Sequence, residues 1–467
     1  MNYKNQMFLK LTNTSSNKLD FFEPIDNKNV RIYVCGPTVY DTPHIGNARA
    51  LVVYDILYRI LIGLYGKECV TYVRNITDID DKIIERAKER NITTNSLTDE
   101  VIELFKKDTN YLNCLPPTHE PKATETLEEI IKIIEKLIEN GSAYFNNNHV
   151  YFRTHSYKDY GKLAGKDLEN LLQGARVEID KNKEDPTDFV LWKPTKEEDG
   201  DNWYDSPWGK GRPGWHIECS AMSYKFLGED FDIHGGGADL MFPHHTNEIA
   251  QSCCAFPGSK FARYWVHNGF LTSGGEKMSK SLGNFITIKD MRERGINGEI
   301  IRLLLLNSHY RSPLDYNEKA LYDATETMNY LYRTISLDPH AIKNPLSFLE
   351  LPEEFKNSIL DDLNIHKAFS YMLEIAKTIN KSENLEPNLI QRLYSCGFMI
   401  GFFNQSPDQW FSKDNKNADK IEELLSLRKI AKESKNWAEA DKIRGEIDKL
   451  GAVIEDNPDG TSSWRSK

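Results

Sequence analysis

Residues 31–65 read RIYVCGPTVYDTPHIGNARALVVYDILYRILIGLY, and their pattern predicts a strand, a polar loop and a helix in that order. The stretch opens with a β-rich run, and apolar residues recur at helical spacing over residues 48–65. The loop carries HIGN at residues 44–47, at the positive end of the helix, where anionic phosphates are stabilised. His44 can hydrogen-bond a phosphate oxygen, and Gly46 lets a ligand approach the backbone closely. The stretch therefore predicts a phosphate-binding turn.

The same alternation of strand and helix continues along the chain. A second strand is predicted over residues 69–74, and it leads into another helix. Strand, helix, strand is the unit of a doubly wound, Rossmann-type parallel sheet, in which ligands bind at the carboxyl ends of the strands. The α/β pattern returns at residues 215–264, with a strand over 230–234 and a helix over 247–254. We therefore predict an α/β domain whose two halves are separated by an insertion.

The segments outside this domain differ in character. The insertion contains a helix, short alternating runs and a charged stretch dotted with Gly and Pro, whereas the chain after residue 289 is predicted to be helical to about residue 403. An Asn-rich linker is predicted at residues 412–417, before a compact terminal unit. The predicted division is 1–120 and 213–265 for the halves of the nucleotide fold, 121–212 for the insertion, 266–320 for a region with a lysine-rich loop, 321–410 for a helical bundle and 411–467 for the terminal unit.

That lysine-rich loop is the second short motif. Residues 277–281 read KMSKS, with glycines on both sides. On such a loop, Lys277 and Lys280 can supply mobile positive charge to a departing pyrophosphate. Either motif alone is compatible with an ordinary helix-entry loop or a solvated lysine turn. The two motifs together, in this order, predict an ATP-binding site.

The composition limits the classes of function. The chain has 467 residues, 39% hydrophobic and 28% charged, and no apolar run approaches the ~20 residues of a membrane helix. No apolar signal core follows Met1, so we expect a cytoplasmic protein without a membrane partner. The formal net charge of −11 argues against broad, non-specific nucleic-acid binding but not against a specific contact. The seven cysteines, without a CxxC pair, do not indicate a disulfide framework.

Thiol, imidazole and carboxylate side chains form a candidate metal site. Cys35 follows the first strand directly, while His244 and Glu248 are four residues apart and so share one face of a helix. If Cys35 ends one parallel strand and Cys219 precedes a neighbouring strand, the fold would bring the two thiols together. All four residue types are zinc ligands. Two other histidines compete with His244 for the role of ligand: His234 and His245.

Longer runs extend these motifs. They are YVCGPTVYD at 33–41, VRNITDIDDK at 73–82, PGWHIECSAM at 213–222, HGGGADLMFPHH at 234–245 and KNWAEADKIR at 435–444. With HIGN and KMSKS, they make the chain similar over essentially its whole length to bacterial cysteinyl-tRNA synthetases, which are class I aminoacyl-tRNA synthetases. The resemblance implies ATP-dependent activation of L-cysteine to cysteinyl-adenylate and transfer to tRNA(Cys). It also implies a monomer, with an anticodon-binding terminal unit and a tRNA-stem contact within 266–320.

The resemblance further assigns roles to individual residues. It implies one Zn²⁺ per chain, which coordinates the substrate thiolate and is held by Cys35, Cys219, His244 and Glu248. It implies that Mg²⁺ accompanies ATP, and that the phosphates are contacted by His44, Gly46, Asn47 and Lys280, with Lys277 assisting in catalysis. The cysteine pocket would be lined by Gly36, Thr77, Trp215 and His234. The anticodon would be contacted by Trp437, Asp441 and Asp456.

Some positions depart from the family pattern, and two other functions compete. Asn47 replaces the last histidine of HIGH, Thr246 stands where an acidic residue is common, and Lys432 stands where an arginine is common. One rival is a cysteine ligase with the same adenylation site and a small amine acceptor, which would lack the terminal unit. The other is a non-catalytic, zinc-stabilised RNA-binding protein, which would need neither HIGN nor KMSKS.

Overall fold

The structure is a computed structural model that describes residues 7–165, 181–277, 284–412, 418–434, 436–456 and 462–466. The described residues divide into two compact units. One lies within Met1–Ala324 and Ser347–Tyr371, and the other within Thr325–Leu346 and Met372–Lys467. Among the helices in the described ranges, none combines the length and the apolar content that crossing a bilayer would require.

Strands and helices alternate in the first unit, whereas helices dominate the second. The strands are β1 Lys10–Asn13, β2 Lys18–Phe21, β3 Val30–Val34, β4 Val70–Arg74, β5 Ala143–Asn146, β6 His149–Phe152, β7 Phe189–Pro194, β8 Gly211–Pro213, β9 Phe231–Gly237, β10 Ala262–Asn268, β11 Leu271–Ser273, β12 Glu276–Lys277, β13 Leu314–Tyr316, β14 Ala452–Asp456 and β15 Ser462–Ser466. The α-helices are α1 Ile45–Tyr65, α2 Asp81–Arg90, α3 Thr94–Tyr111, α4 Leu127–Glu139, α5 Trp215–Leu227, α6 Thr246–Ala255, α7 Ile288–Glu293, α8 Gly298–Leu306, α9 Glu318–Ile335, α10 Glu353–Leu360, α11 Ile365–Lys381, α12 Pro387–Met399, α13 Pro407–Ser412, α14 Ala418–Glu433 and α15 Trp437–Lys449.

A parallel sheet in the order β10-β9-β3-β4 forms the centre of the first unit. The runs VRIYV of β3 and VTYVR of β4 are almost entirely buried, as expected for strands covered on both faces by helices. α1 packs against all four strands and buries residues such as Val52, Ile56 and Ile60. The predicted parallel sheet, with HIGN at the start of its first long helix, is confirmed.

The insertion forms a separate antiparallel sheet in the order β5-β6-β7-β8. Ile134 of α4, Phe152 of β6 and Trp192 of β7 share one apolar core with Ile217 of α5 and Ala250 of α6. β7 and β8 lie within the charged, glycine- and proline-dotted stretch, where the sequence pattern indicated no regular element. The core matters for function because α5 and α6 carry candidate metal ligands.

One prediction about the later chain is wrong. The segment after residue 289 is not helical throughout, since β13 interrupts it. β13 pairs in parallel with β11, and this partner comes from a distant part of the sequence. Such a short strand carries no local periodic signal, because its stability depends on the neighbouring strand.

Two buried side chains hold α1 in place under the HIGN turn. Arg49 is fully buried and donates hydrogen bonds to the carbonyls of Gly269 and Phe270, at 3.0 and 2.8 Å. Asp55 forms a buried ion pair with Arg302. Burial raises the pKa of Asp55, but the arginine charges facing it lower that pKa below its ordinary value. Both contacts join α1 to segments far away in sequence.

The last part of the second unit has its own apolar core. Ile421 and Leu425 of α14 pack with Ile447 of α15, Ile454 of β14 and Trp464 of β15. β14 and β15 pair antiparallel, and the two helices pack against each other. The predicted helices and strand of this terminal segment are confirmed, whereas residues 413–417 of the predicted linker lie outside the described residues.

Candidate active site

The candidate metal ligands converge at the carboxyl end of the parallel sheet. Cys35 follows β3 directly, and Cys219 lies on α5, which leads into β9, the parallel neighbour of β3. His244 lies in the tight turn between β9 and α6, and Glu248 lies in the first turn of α6. Thr246, where an acidic residue is common in the family, donates a hydrogen bond within this turn, to the carbonyl of Met241 at 2.8 Å. Neighbouring parallel strands thus bring the two thiols together, as expected.

The spacing of the four side chains suits a tetrahedral metal ion. Cys35 Sγ is 3.8 Å from Cys219 Sγ, 3.5 Å from His244 Nε2 and 3.5 Å from Glu248 Oε1. His244 Nε2 is 3.0 Å from Glu248 Oε1. Ligands bound tetrahedrally at about 2.0–2.3 Å from zinc lie about 3.3–3.8 Å from one another. Two thiols, one imidazole and one carboxylate therefore fit zinc in chemistry, and the three distances from Cys35 Sγ fit its spacing, whereas His244 and Glu248 are slightly closer than two ligands of one ion would be.

A second set shares two of these ligands. The ligand atoms of Cys35, His234, His245 and Glu248 also lie within 4.8 Å of one another. His234 Nε2 is 2.9 Å from Glu248 Oε2, and its ring stacks on Trp265 with centroids 4.3 Å apart. This set has a single thiol, and soft sulfur donors favour zinc. The set with two thiols is therefore the better zinc site.

Further histidines, to which the sequence assigned no role, contact the candidate ligands. His216 Nδ1 is 2.8 Å from His244 Nδ1, so the ring nitrogen of His244 that faces away from the thiols has a partner. His245 Nδ1 is likewise 2.8 Å from His267 Nε2. Trp215 stacks on His244 with ring centroids 4.2 Å apart. Such contacts fix the tautomer and the orientation of a metal-binding imidazole.

The cluster is strongly polarised. Burial raises the pKa of Glu248, but the facing imidazoles of His234 and His244 hold it well below its usual range. Burial lowers the pKa of His244, yet the charges of Glu248 and Cys219 raise it above its ordinary value. A metal ion that bound here would take the place of the His244 proton and would release it.

The HIGN turn forms the N-terminal cap of α1. The Nδ1 atom of His44 accepts a hydrogen bond from the Gly46 amide at 2.9 Å, and the Asn47 side chain accepts one from the His44 amide at 3.1 Å. A Cβ on Gly46 would lie 2.6 Å from the His44 ring. A side chain at position 46 would therefore clash with the His44 ring that caps α1. The sequence had suggested only that Gly46 lets a ligand approach the backbone.

The segment that follows the lysine loop lies beside the HIGN turn. The Ile45 amide donates to the carbonyl of Ile286 at 2.8 Å, and the His44 ring meets Phe285 edge-on with centroids 5.3 Å apart. Residues 285–286 follow shortly after KMSKS, and β12 ends at Lys277, the first residue of that motif. Residues 278–283, including Lys280, lie outside the described residues. The segment after the lysine loop thus contacts the start of α1.

Gly36 and Thr77 lie where β3 and β4 end. The Gly36 amide donates to Asn75 Oδ1 at 2.8 Å, and the Thr77 amide donates to the carbonyl of Pro37 at 3.1 Å. Thr77 is buried. A Cβ on Gly36 would lie only 1.7 Å from the Asn75 carbonyl oxygen. The backbone at this end of the sheet therefore tolerates only glycine at position 36.

Gly36→Ala is accordingly expected to lower the free energy of unfolding by about 1–3 kcal/mol, the usual cost of overpacking a tight site. Thermal unfolding of the purified variant measures it. Gly445→Ala is the matched control, because a Cβ there meets no atom within 4 Å among the described residues. Equal melting temperatures for the two variants would contradict the packing described for Gly36.

A cavity of about 350 Å³ adjoins the thiol cluster. Trp215 and His216 contribute to its walls, and both also contact His244. Glu218, to which the sequence assigned no role, lines the same cavity and is fully buried. The cavity lies within the first unit, beside the predicted pocket residues.

The predicted anticodon residues lie in the terminal segment. Trp437 begins α15 and is 60% exposed, and Asp441 is exposed one turn further along the helix. Asp456 ends β14. An exposed indole near the start of a helix is available to stack on a base.

Comparisons with known proteins agree with this arrangement. The family model "tRNA synthetases class I (C) catalytic domain" matches residues 21–326, and "Cysteinyl-tRNA ligase anticodon binding domain" matches residues 415–465. A cysteine--tRNA ligase of Rickettsia felis is 52% identical over 468 residues, which span 99% of this chain and 100% of that protein. The chain belongs to the cysteine--tRNA ligase family. A relative from Rickettsia bellii is also 52% identical, over 465 residues and with the same coverage.

Solved structures share the fold at low identity. Methionyl-tRNA synthetase of Mycobacterium tuberculosis, in complex with methionyl-adenylate, superposes with a TM-score of 0.55 at 15% identity, covering 85% of this chain and 94% of that one. A structure described as a putative arginyl-tRNA synthetase from Campylobacter jejuni gives 0.51 at 14% identity, covering 80% and 92%. The predicted α/β class I fold with a C-terminal anticodon-binding domain, and the prediction of an aminoacyl-tRNA synthetase, are confirmed.

Proposed function

We propose that this enzyme activates L-cysteine with ATP to cysteinyl-adenylate and transfers the cysteine to tRNA(Cys). The observation that carries the proposal is the cluster of half-buried Cys35 with buried Cys219, His244 and Glu248, in a chain 52% identical along its length to a cysteine--tRNA ligase. Two protein thiols can hold a zinc ion, and a zinc ion can select a substrate by its thiol. We propose that the enzyme acts as a monomer in the cytoplasm.

One Zn²⁺ would be held by Cys35, Cys219, His244 and Glu248. A zinc ion bound there supplies a Lewis acid that prefers a thiolate strongly to an alcohol. Serine differs from cysteine by a single atom, a difference that the shape of a pocket discriminates poorly. Selection through the sulfur would make a separate editing site unnecessary. Gly36, Thr77, Trp215 and His234 would line the rest of the amino-acid pocket.

ATP would bind at the HIGN turn, beside the segment that follows the lysine loop. His44, Gly46 and Asn47 would contact its phosphates at the positive end of α1, and Mg²⁺ would accompany the nucleotide. The carboxylate of the substrate attacks the α-phosphorus and displaces pyrophosphate, so no protein nucleophile is required. Lys280, assisted by Lys277, would stabilise the charge that develops on the phosphates.

The acceptor is proposed to be tRNA. Trp437 would stack on an anticodon base, and Asp441 and Asp456 would accept hydrogen bonds from base edges. The match of residues 415–465 to an anticodon-binding family supports tRNA over the small amine acceptor. A non-catalytic RNA-binding role is disfavoured by the match of residues 21–326 to a catalytic-domain family.

Amino-acid-dependent pyrophosphate exchange tests the proposal directly. The purified protein is assayed with each of the twenty amino acids, and cysteine is expected to support exchange far better than serine. Transfer of cysteine to tRNA is then measured with the same preparation. Exchange with another amino acid, or none with cysteine, would contradict the proposed substrate.

Lys280→Ala should slow adenylate formation by roughly 10²–10³-fold, the scale of one preorganised charge contact in a transition state. Pre-steady-state exchange kinetics measure this rate. Cysteine affinity and zinc content should stay nearly unchanged, because Lys280 is proposed to act on phosphate charge and not on the thiol. Unaltered exchange kinetics would show that the lysine loop is not catalytic.

A further inference from the structure

The cavity beside the thiol cluster contains a carboxylate that lacks a partner. Glu218 is fully buried, and neither of its side-chain oxygens has a hydrogen bond of ordinary geometry within the described part of the chain; the Thr77 side chain alone approaches closely enough to lower its pKa slightly. Burial raises the pKa of Glu218 well above its ordinary value, and the nearby Cys219, Asp80 and Asp78 raise it further, so the pocket by itself provides nothing that stabilises a negative charge. A buried carboxyl group whose oxygens lack hydrogen-bond partners is costly, so its presence beside a cavity points to a ligand that supplies a donor or a cation.

The other charged groups of this cavity already have partners. Asp81 accepts hydrogen bonds from Lys193 at 2.5 Å and from Arg212 at 2.7 Å. Asp80 caps α2 by accepting a hydrogen bond from the Lys82 amide at 2.9 Å. The remaining requirement of the cavity is therefore a cation or a donor for Glu218. A compact ammonium group would meet that requirement.

The location of Glu218 relative to the thiols indicates which ammonium group. Glu218 directly precedes Cys219 on α5, and successive helical residues project about 100° apart, so the two side chains face adjoining spaces. Trp215 and His216 line the cavity and contact His244 of the thiol cluster. In cysteine, the amino group is only a few bonds from the sulfur. A cysteine whose sulfur lies at the thiol cluster would hold its amino group in this cavity.

We propose that Glu218 binds the α-ammonium group of the amino-acid substrate. The carboxylate would accept charge-assisted hydrogen bonds from the ammonium, which are stronger than neutral ones. Glu218 is then a second specificity residue: the thiol cluster reads the sulfur, and Glu218 reads the amino group. This inference rests on the proposed cysteine substrate.

The test compares two ligands and two variants. Zinc-loaded protein is titrated calorimetrically with L-cysteine and with 3-mercaptopropionate, which keeps the thiol and the carboxylate but lacks the amino group. The unmodified protein is expected to bind cysteine about 10–150-fold more tightly, the range for a hydrogen bond to a charged group. In Glu218→Gln this preference should fall close to onefold, while the zinc content stays the same.

Asp108→Asn is the matched control, because Asp108 is also buried, also has an oxygen without a hydrogen-bond partner among the described residues, and lies on α3 outside the cavity. The Asp108→Asn variant should keep the full preference for cysteine over 3-mercaptopropionate.

An undiminished preference for cysteine in folded Glu218→Gln overturns the inference. If that variant does not fold, inhibition of the unmodified enzyme by cysteamine and by 1-propanethiol decides: stronger inhibition by cysteamine supports ammonium binding, and equal inhibition overturns it. Loss of cysteine-dependent exchange in the unmodified protein would instead contradict the proposed function.

Discussion

Cys219→Ala is expected to yield a protein without zinc, whereas the unmodified chain should carry about one equivalent. The sulfur of Cys219 lies 3.8 Å from that of Cys35, within a set that offers one ligand atom per residue. Removing it leaves three ligands and an open position. Cysteine-dependent pyrophosphate exchange should fall by about 10³-fold or more, since several kcal/mol of metal-derived stabilisation are lost. Elemental analysis and the exchange assay measure the two effects.

Cys396→Ala is the matched control. Cys396 is also a fully buried thiol, but it lies on α12 in the other unit. This variant should retain zinc and exchange activity. Full zinc occupancy in Cys219→Ala would refute the two-thiol site. It would favour the set of Cys35, His234, His245 and Glu248, which does not use Cys219.

Removing residues 413–467 is expected to separate the two half-reactions. Cysteine-dependent exchange should change little, because HIGN, KMSKS and the thiol cluster all lie before the cut. Transfer of cysteine to tRNA should fall by about 10³-fold or more, since each lost base contact costs about 1–3 kcal/mol and the acceptor end is no longer held in place. The cut spares Trp410, which stacks on Tyr332 with centroids 4.0 Å apart, and it removes the separate terminal core as a whole.

Trp437→Ala provides a milder version of the same test. Because this indole is 60% exposed, its loss should not disturb the terminal core. It should weaken tRNA transfer by about 10–100-fold, the scale of one base stacked on an aromatic ring, while exchange is unaffected.

For the truncation, transfer of cysteine to tRNA at the rate of the full chain would show that the terminal unit does not read the anticodon. A small-acceptor ligase would show no split between the half-reactions.

The sequence was informative wherever a signal is local. The run over residues 31–65 combines a buried strand with a long apolar helix, and both appear as β3 and α1. The order of strand, helix and strand implied a parallel sheet, whose carboxyl edge then had to hold Cys35. Long motifs such as PGWHIECSAM carried the family assignment by themselves. The same local reasoning failed at β13, because a three-residue strand depends on a partner from elsewhere.

The tertiary structure decided what depends on contacts between distant segments. From the residues alone, His234 and His245 could compete with His244, whereas the family resemblance implied the set of Cys35, Cys219, His244 and Glu248. The structure brings the atoms of both sets together, and the second thiol favours the implied set. The requirement for Gly36 comes from the Asn75 carbonyl, which approaches from the neighbouring strand. Neither fact has a signature in the local sequence.

Glu218 shows the same division most clearly. In the sequence it is one acidic residue in the first turn of a helix, where carboxylates are common. Its missing partner becomes visible only once α5, α2 and the insertion sheet enclose a cavity and pair the other charges. The residue types, their order and their periodicity are present in the chain itself, and they determine the helices, strands and motifs. Whether a carboxyl group is buried, and which group it contacts, depends on how those helices and strands pack, so the chemistry of Glu218 is decided by the tertiary structure.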